Sequence, residues 1–97
     1  MEYIRGLHGE EFERIVLESL QNSHTTLLRF AIFVKTPEEI QKLFFSKYLS
    51  GKCFLILINH VPLPNRDIVL RAFLQQLSYG NIATAESMMH EFLSLFE

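Results

Sequence analysis

The chain has 97 residues, 48% of them hydrophobic, with nine Phe, no Trp and a net charge of -2. That length excludes two independently cored domains, that hydrophobicity excludes intrinsic disorder, and that charge excludes a general electrostatic attraction to nucleic acid or an acidic membrane. Cys53 is the sole cysteine, which rules out an internal disulfide and, with no basic-then-apolar leader at the start, makes a reducing cytoplasm the expected location.

Residues 1–97 read as a single domain, with residues 1–24 an N-terminal helical extension and residues 25–97 an α/β core. Glu10 to Gln21 is expected to be helical. Phe12, Ile15, Val16, Ser19 and Leu20 recur at helical spacing behind Gly9, and Glu10, Glu11 and Glu13 favour the positive helix end. The polar group Asn22 to Thr25 breaks that pattern. Leu27 to Val34 follows, and its β-branched and aromatic content predicts a strand.

Thr36-Pro37-Glu38-Glu39 is the clearest local signal: Thr36 caps, Pro37 suits the first helical position and Glu39 completes a capping box. The predicted helix carries Ile40, Leu43, Phe44 and Tyr48 on one face and stops at Gly51 in a left-handed C-terminal position. Lys35, Lys42, Lys47 and Lys52 read as a solvated face, with contact to an acidic partner segment as the alternative. Cys53 to Ile58 is apolar without alternation, which predicts a strand covered on both faces. It is far short of the ~20 residues that span a bilayer as a helix. A small sheet with helices on one face leaves the other open, so a homo-oligomer is expected.

Pro62 and Pro64 bound the next loop. Ile68, Ala72, Phe73, Gln76 and Leu77 then mark a helical face ending near Gly80. The last segment, Asn81 to Glu97, is either a helix, as Ala83, Ala85, Glu86, Met88 and Met89 favour, or a strand pair, Asn81 to Ala85 and His90 to Leu95.

The chemical inventory is short. His8, His24, His60 and His90 are widely separated and form no metal-ligand pair. Cys53 opens an apolar run and suits a buried thiol better than an activated nucleophile. Glu38 and Glu39 fit helix capping, and the isolated Gly51 and Gly80 make no phosphate-cradling loop. No cofactor, metal or enzymatic activity is expected. Phe73, Tyr79, Met88 and Met89 suit either a core or a peptide groove.

The order of elements, with Phe33-Val34, Pro37-Glu38-Glu39, Gly51-Lys52, Asn59 and Leu63, Phe73-Leu74, Tyr79, Gly80-Asn81-Ile82 and Phe92-Leu93, resembles the SepF cell-division family. The resemblance spans about residues 30–95. It implies a non-enzymatic, self-associating scaffold that captures the C-terminal tail peptide of FtsZ, the tubulin-like division protein. It further implies a groove between the second core helix and an adjacent strand. Phe73, Leu77 and Tyr79 would supply apolar contacts there, Arg66 or Arg71 would meet acidic peptide residues, and Gly80 would make the turn into the assembly surface. An acidic helix stands where that family often carries a membrane-binding one, so membrane attachment is not part of the expectation. The alternative is an accessory protein, unrelated to division, that binds another protein through its terminal helices. A small enzyme using Cys53 or His60 is the third reading.

Overall fold

The second apolar run is a helix, not a strand. In the computed structural model, which describes residues 2–61 and 66–96, the Ser50 hydroxyl accepts from the Cys53 backbone N–H at 3.1 Å and starts a helix at Gly51. Gly51 therefore opens a helix instead of closing one. Cys53, Phe54 and Leu57 are buried while Leu55 and Asn59 are exposed, a pattern with a helical period. A short apolar run is compatible with either state, and here the cap and the side that must be buried decide it.

The elements in chain order are α1 (Glu2–Gly6), α2 (Gly9–Gln21), α3 (Thr26–Val34), α4 (Pro37–Gln41), a 3-10 turn (Lys42–Phe45), α5 (Gly51–His60), α6 (Arg66–Tyr79) and α7 (Ile82–Phe96). No strand occurs among the described residues, so the fold is all-α and the α/β expectation is corrected. In α3, Leu28 and Ala31 are buried at helical spacing, followed by Lys35 just past its end, and this packing overrides the β propensity of Leu27 to Val34. The strand pair considered for the last segment is likewise replaced by α7, as its Ala and Met content favours. With the sheet gone, the open sheet face no longer supports self-association.

Thr36 forms the expected capping box: its hydroxyl accepts from the Glu39 N–H, and the Glu39 carboxylate accepts from the Thr36 N–H, both at 3.2 Å. The helix it starts is shorter than expected, passing into the 3-10 turn after Gln41. Lys35 also departs from the solvated lysine face. It is buried, while Lys42, Lys47 and Lys52 are exposed.

Ile4, Leu7, Phe12, Val16, Leu17 and Leu20 from the first two helices join Leu28, Leu43, Phe44, Cys53, Phe54 and Leu57 in one core. Phe44 and Phe54 meet edge to face, with ring centres 6.0 Å apart. α2 packs against α3, α5 and the 3-10 turn, whereas α7 packs on α5 and α6. The α6–α7 hairpin thus covers the core from one side. At the base of α5, Gly51 lies so close to Ser87 of α7 that a Cβ there would overlap the Ser87 hydroxyl.

Three polar side chains fix the hairpin to the segment after the 3-10 turn. Buried Gln76 donates through Nε2 to the Ser46 carbonyl at 2.7 Å and to the Phe44 carbonyl at 3.3 Å. Asn81 donates to the Gln76 side-chain oxygen at 2.8 Å and to the Lys47 carbonyl at 3.2 Å, and Thr84 donates to the Leu49 carbonyl at 3.0 Å. Buried carbonyls outside regular helix need such partners. Between the two helices Gly80 has φ +82°, a left-handed conformation that glycine adopts without a Cβ penalty.

Candidate protein-interaction surface

α6 is apolar on two faces. Val69, Ala72 and Gln76 point inward and are buried, while Leu70, Leu74 and Leu77 follow one another on an outer face and remain exposed. α7 repeats the arrangement with Thr84, Ala85 and Met88 inside and Ile82, Met89 and Leu93 outside. The two outer stripes face each other across a groove. Its main stretch, about 310 Å³, runs along Phe73, Leu77, Ile82, Ala85 and Met89, and a small recess of about 30 Å³ lies beside Val69, Leu70, Phe73 and Met88.

The groove is not a product of loose packing. The chain exposes 5774 Å², and a folded monomer of 11.4 kDa is expected to expose about 5,800 Å². What is unusual is where the apolar part lies. Of ten large apolar side chains exposed among the described residues, Leu70, Leu77, Ile82 and Met89 line this groove, and Leu74 and Leu93 are exposed on the same two helices. Scattered apolar exposure is ordinary, but a contiguous patch rimmed by polar residues marks an interaction site. Glu86 and His90 border the groove on α7, and Asp67 and Arg71 lie on α6 outside its lining. All four are exposed, and neither Arg71 nor Glu86 makes an ion pair among the described residues.

The structure brings together some of the residues expected at a site and separates others. Phe73 is half-buried at the floor of the groove, Leu77 stands on its wall, and Gly80 turns the chain between its two walls, while Arg71 is exposed on α6 outside the groove's lining. The groove's second wall is a helix, not the strand anticipated, because no strand exists to supply it. Tyr79 lies on the other flank of α6, in a depression shared with Glu10, Glu13 and Lys47. Arg66 begins α6, and its side chain lies outside the described residues, as do Pro62, Leu63 and Pro64.

Met89, read from the sequence as suited to a core or a peptide groove, lines the groove, whereas Leu70 and Ile82 were not expected there. The available signal was a second helical series along α6, where Leu70, Leu74 and Leu77 recur beside the inward Val69, Ala72 and Gln76.

The depression near Tyr79 holds a polar network. The Glu10 carboxylate accepts from the Tyr48 hydroxyl at 2.8 Å and pairs with Lys47 at 3.0 Å, which holds its pKa below the usual range, Lys47 first and Tyr48 second. The same contacts raise the pKa values of Lys47 and Tyr48. Glu13 is pushed up by partial burial and then by the nearby Glu10. These groups tie α2 to the segment before α5. Cys53 is buried, and its thiol donates to the Leu17 carbonyl at 3.2 Å. No group of three or more His, Cys, Asp or Glu side chains able to hold a metal ion occurs among the described residues. No described helix is long and apolar enough to cross a membrane.

No protein-family model, curated protein or solved structure matches the chain, so the resemblance to SepF and the FtsZ partner it implies rest on the quoted residues alone.

Proposed function

We propose that the chain is a non-enzymatic protein-interaction module that docks an apolar helix in the groove between α6 and α7. One observation carries this reading: four exposed large apolar side chains, Leu70, Leu77, Ile82 and Met89, line a single groove on one helical hairpin. Two antiparallel helices with facing apolar stripes present the i, i+3, i+4 and i+7 ridges that an incoming amphipathic helix packs against. The two expectations of self-association and of binding through a terminal helix meet here, because α7 forms one wall.

The strength of such docking follows from the area at stake. Four half-exposed side chains contribute roughly 4 kcal/mol when covered, and the partner's matching residues a similar amount. Association costs of at least about 4 kcal/mol leave at most about 4 kcal/mol from these contacts, which corresponds to an affinity on the order of millimolar. The module is thus suited to reversible assembly.

A titration with a synthetic amphipathic helical peptide, followed by amide NMR shifts, tests the reading. Shifts centred on Phe73, Leu77, Ile82 and Met89 are expected. No saturable shift, or shifts centred on another face, would overturn it.

A further inference from the structure

α1 spans only Glu2–Gly6, and a helix of one turn has no stability of its own, because nucleating it costs more than its few hydrogen bonds return. Contacts with the rest of the chain must hold it. α1 packs on α3, and Ile4 and, just beyond the helix, Leu7 are buried in the core. The Lys35 ammonium, at the end of α3, donates to the carbonyls of Arg5 and Leu7. Among the described residues no other side chain hydrogen-bonds to residues 4–8.

This attachment is built to come apart at one place. Lys35 does not belong to α1, and its third donor faces Glu39 at 3.7 Å, a carboxylate that the Thr36 capping box already fixes at the start of α4. If α1 leaves, the ammonium keeps Glu39 and the Phe12 ring and exchanges two carbonyls for water. The chain reaches α2 through Leu7 and His8, and at Gly9 it takes φ +60°, where a glycine turns freely. A pivot, two apolar anchors and one cationic latch therefore bound a segment that is separate from the rest of the core.

We propose that α1 with Leu7 is a strap that opens as a unit about Gly9, released and caught again by Lys35, while α2 to α7 stay folded. Opening takes Ile4 and Leu7 out of the core and uncovers the part of α3 on which α1 packs. The fold thus has a low-lying open state at its N-terminal end, distinct from unfolding of the whole chain. This inference is independent of the groove between α6 and α7.

Native-state hydrogen exchange on the full chain, repeated at increasing low concentrations of urea, tests the proposal. The Leu7 amide, bonded to the Ile4 carbonyl at 3.1 Å, reports the strap, and the Phe54 amide, bonded to the Ser50 carbonyl at 2.9 Å, reports the core. After correction for intrinsic rates, Leu7 is expected to exchange at least about tenfold faster than Phe54, and with little dependence on urea, because a small unit exposes little surface when it opens. Lys35→Met is expected to speed exchange at Leu7 by at least about tenfold. Equal protection and equal urea dependence at the two amides would mean that α1 opens only with the whole fold. An unchanged Leu7 rate in Lys35→Met would mean that Lys35 is not the latch. Either result overturns the proposal, and the wild-type comparison decides the first point whether or not the variant folds.

Discussion

The Lys35 ammonium lies 2.6 Å from the carbonyl oxygen of Leu7 and donates to it from a side chain that is only 4% exposed. It also donates to the Arg5 carbonyl at 3.3 Å, pairs with Glu39 at 3.7 Å and sits over the Phe12 ring. One cation therefore satisfies the carbonyls at the exit of α1, where a positive charge is favoured. It also joins α1, α2 and α4 through the end of α3. Lys35→Met keeps much of the aliphatic stem but removes the donor, and is expected to destabilise the fold by about 2–3 kcal/mol. Urea unfolding measures this, and a change below about 0.5 kcal/mol would show that water replaces the ammonium without loss.

Gln76 is the corresponding fixture for the hairpin. Gln76→Leu leaves the Phe44 and Ser46 carbonyls and the Asn81 amide without their partner. A loss of about 2–4 kcal/mol is expected, because a partly satisfied buried network costs more than one missing bond. Hydrogen exchange should rise at amides between 42 and 50 and in the hairpin. An unchanged exchange pattern would mean that Asn81 and Thr84 hold the hairpin without it.

Gly51 and Ser87 form a coupled pair. Gly51→Ala gains helix propensity of roughly 1 kcal/mol, but its Cβ overlaps the Ser87 hydroxyl. The same substitution is expected to be more favourable by at least about 1 kcal/mol in a Ser87→Gly background. Additive effects in a double-mutant cycle would contradict the close contact.

Glu13 and Glu10 respond to acid in opposite senses. Partial burial and the charge of Glu10 raise the pKa of Glu13, so its folded form holds a proton more tightly than the unfolded chain does. Its contribution to stability is fully present below the unfolded pKa and is lost as pH rises through the folded one. Glu13→Gln should therefore raise Tm at neutral pH, and the gain should disappear in acid. Glu10, whose pKa Lys47 and Tyr48 lower, contributes stability above its unfolded pKa that is lost as pH falls through the folded value. A Glu13→Gln gain independent of pH would assign the effect to packing and not to charge.

The first and last parts of this fold were legible in local signals. The apolar period behind Gly9 marked α2, Thr36 and Glu39 marked the start of α4, and the series ending at Gly80 marked α6. Two stretches misled for the same reason. Phe30 to Val34 and Cys53 to Ile58 are short and dense in residues that suit strands, and their neighbours in space decide which state buries them. Ser50 was the missed clue, since it stands where a cap for α5 is needed. The groove was half legible: Phe73, Leu77 and Met89 were picked out, but Leu70, Ile82 and Glu86 gain meaning only when α7 is known to be a helix folded back on α6. Tyr79 illustrates the converse. Two residues beyond Leu77 on a helix, it falls on a different face.

The central claim is that the exposed apolar side chains of the α6–α7 hairpin are sites of association while those elsewhere are not. Phe33 on α3 is the most exposed of the large apolar side chains described, at 83%, and α3 packs on α1, α2 and α4, away from the hairpin. The most direct measurement is titration of the wild type, Leu77→Glu and Phe33→Glu with the amphipathic helical peptide, followed by amide NMR shifts. Saturable binding by the wild type and by Phe33→Glu, with none by Leu77→Glu, is the predicted result. No binding by the wild type, or binding lost through Phe33→Glu and retained in Leu77→Glu, would contradict it.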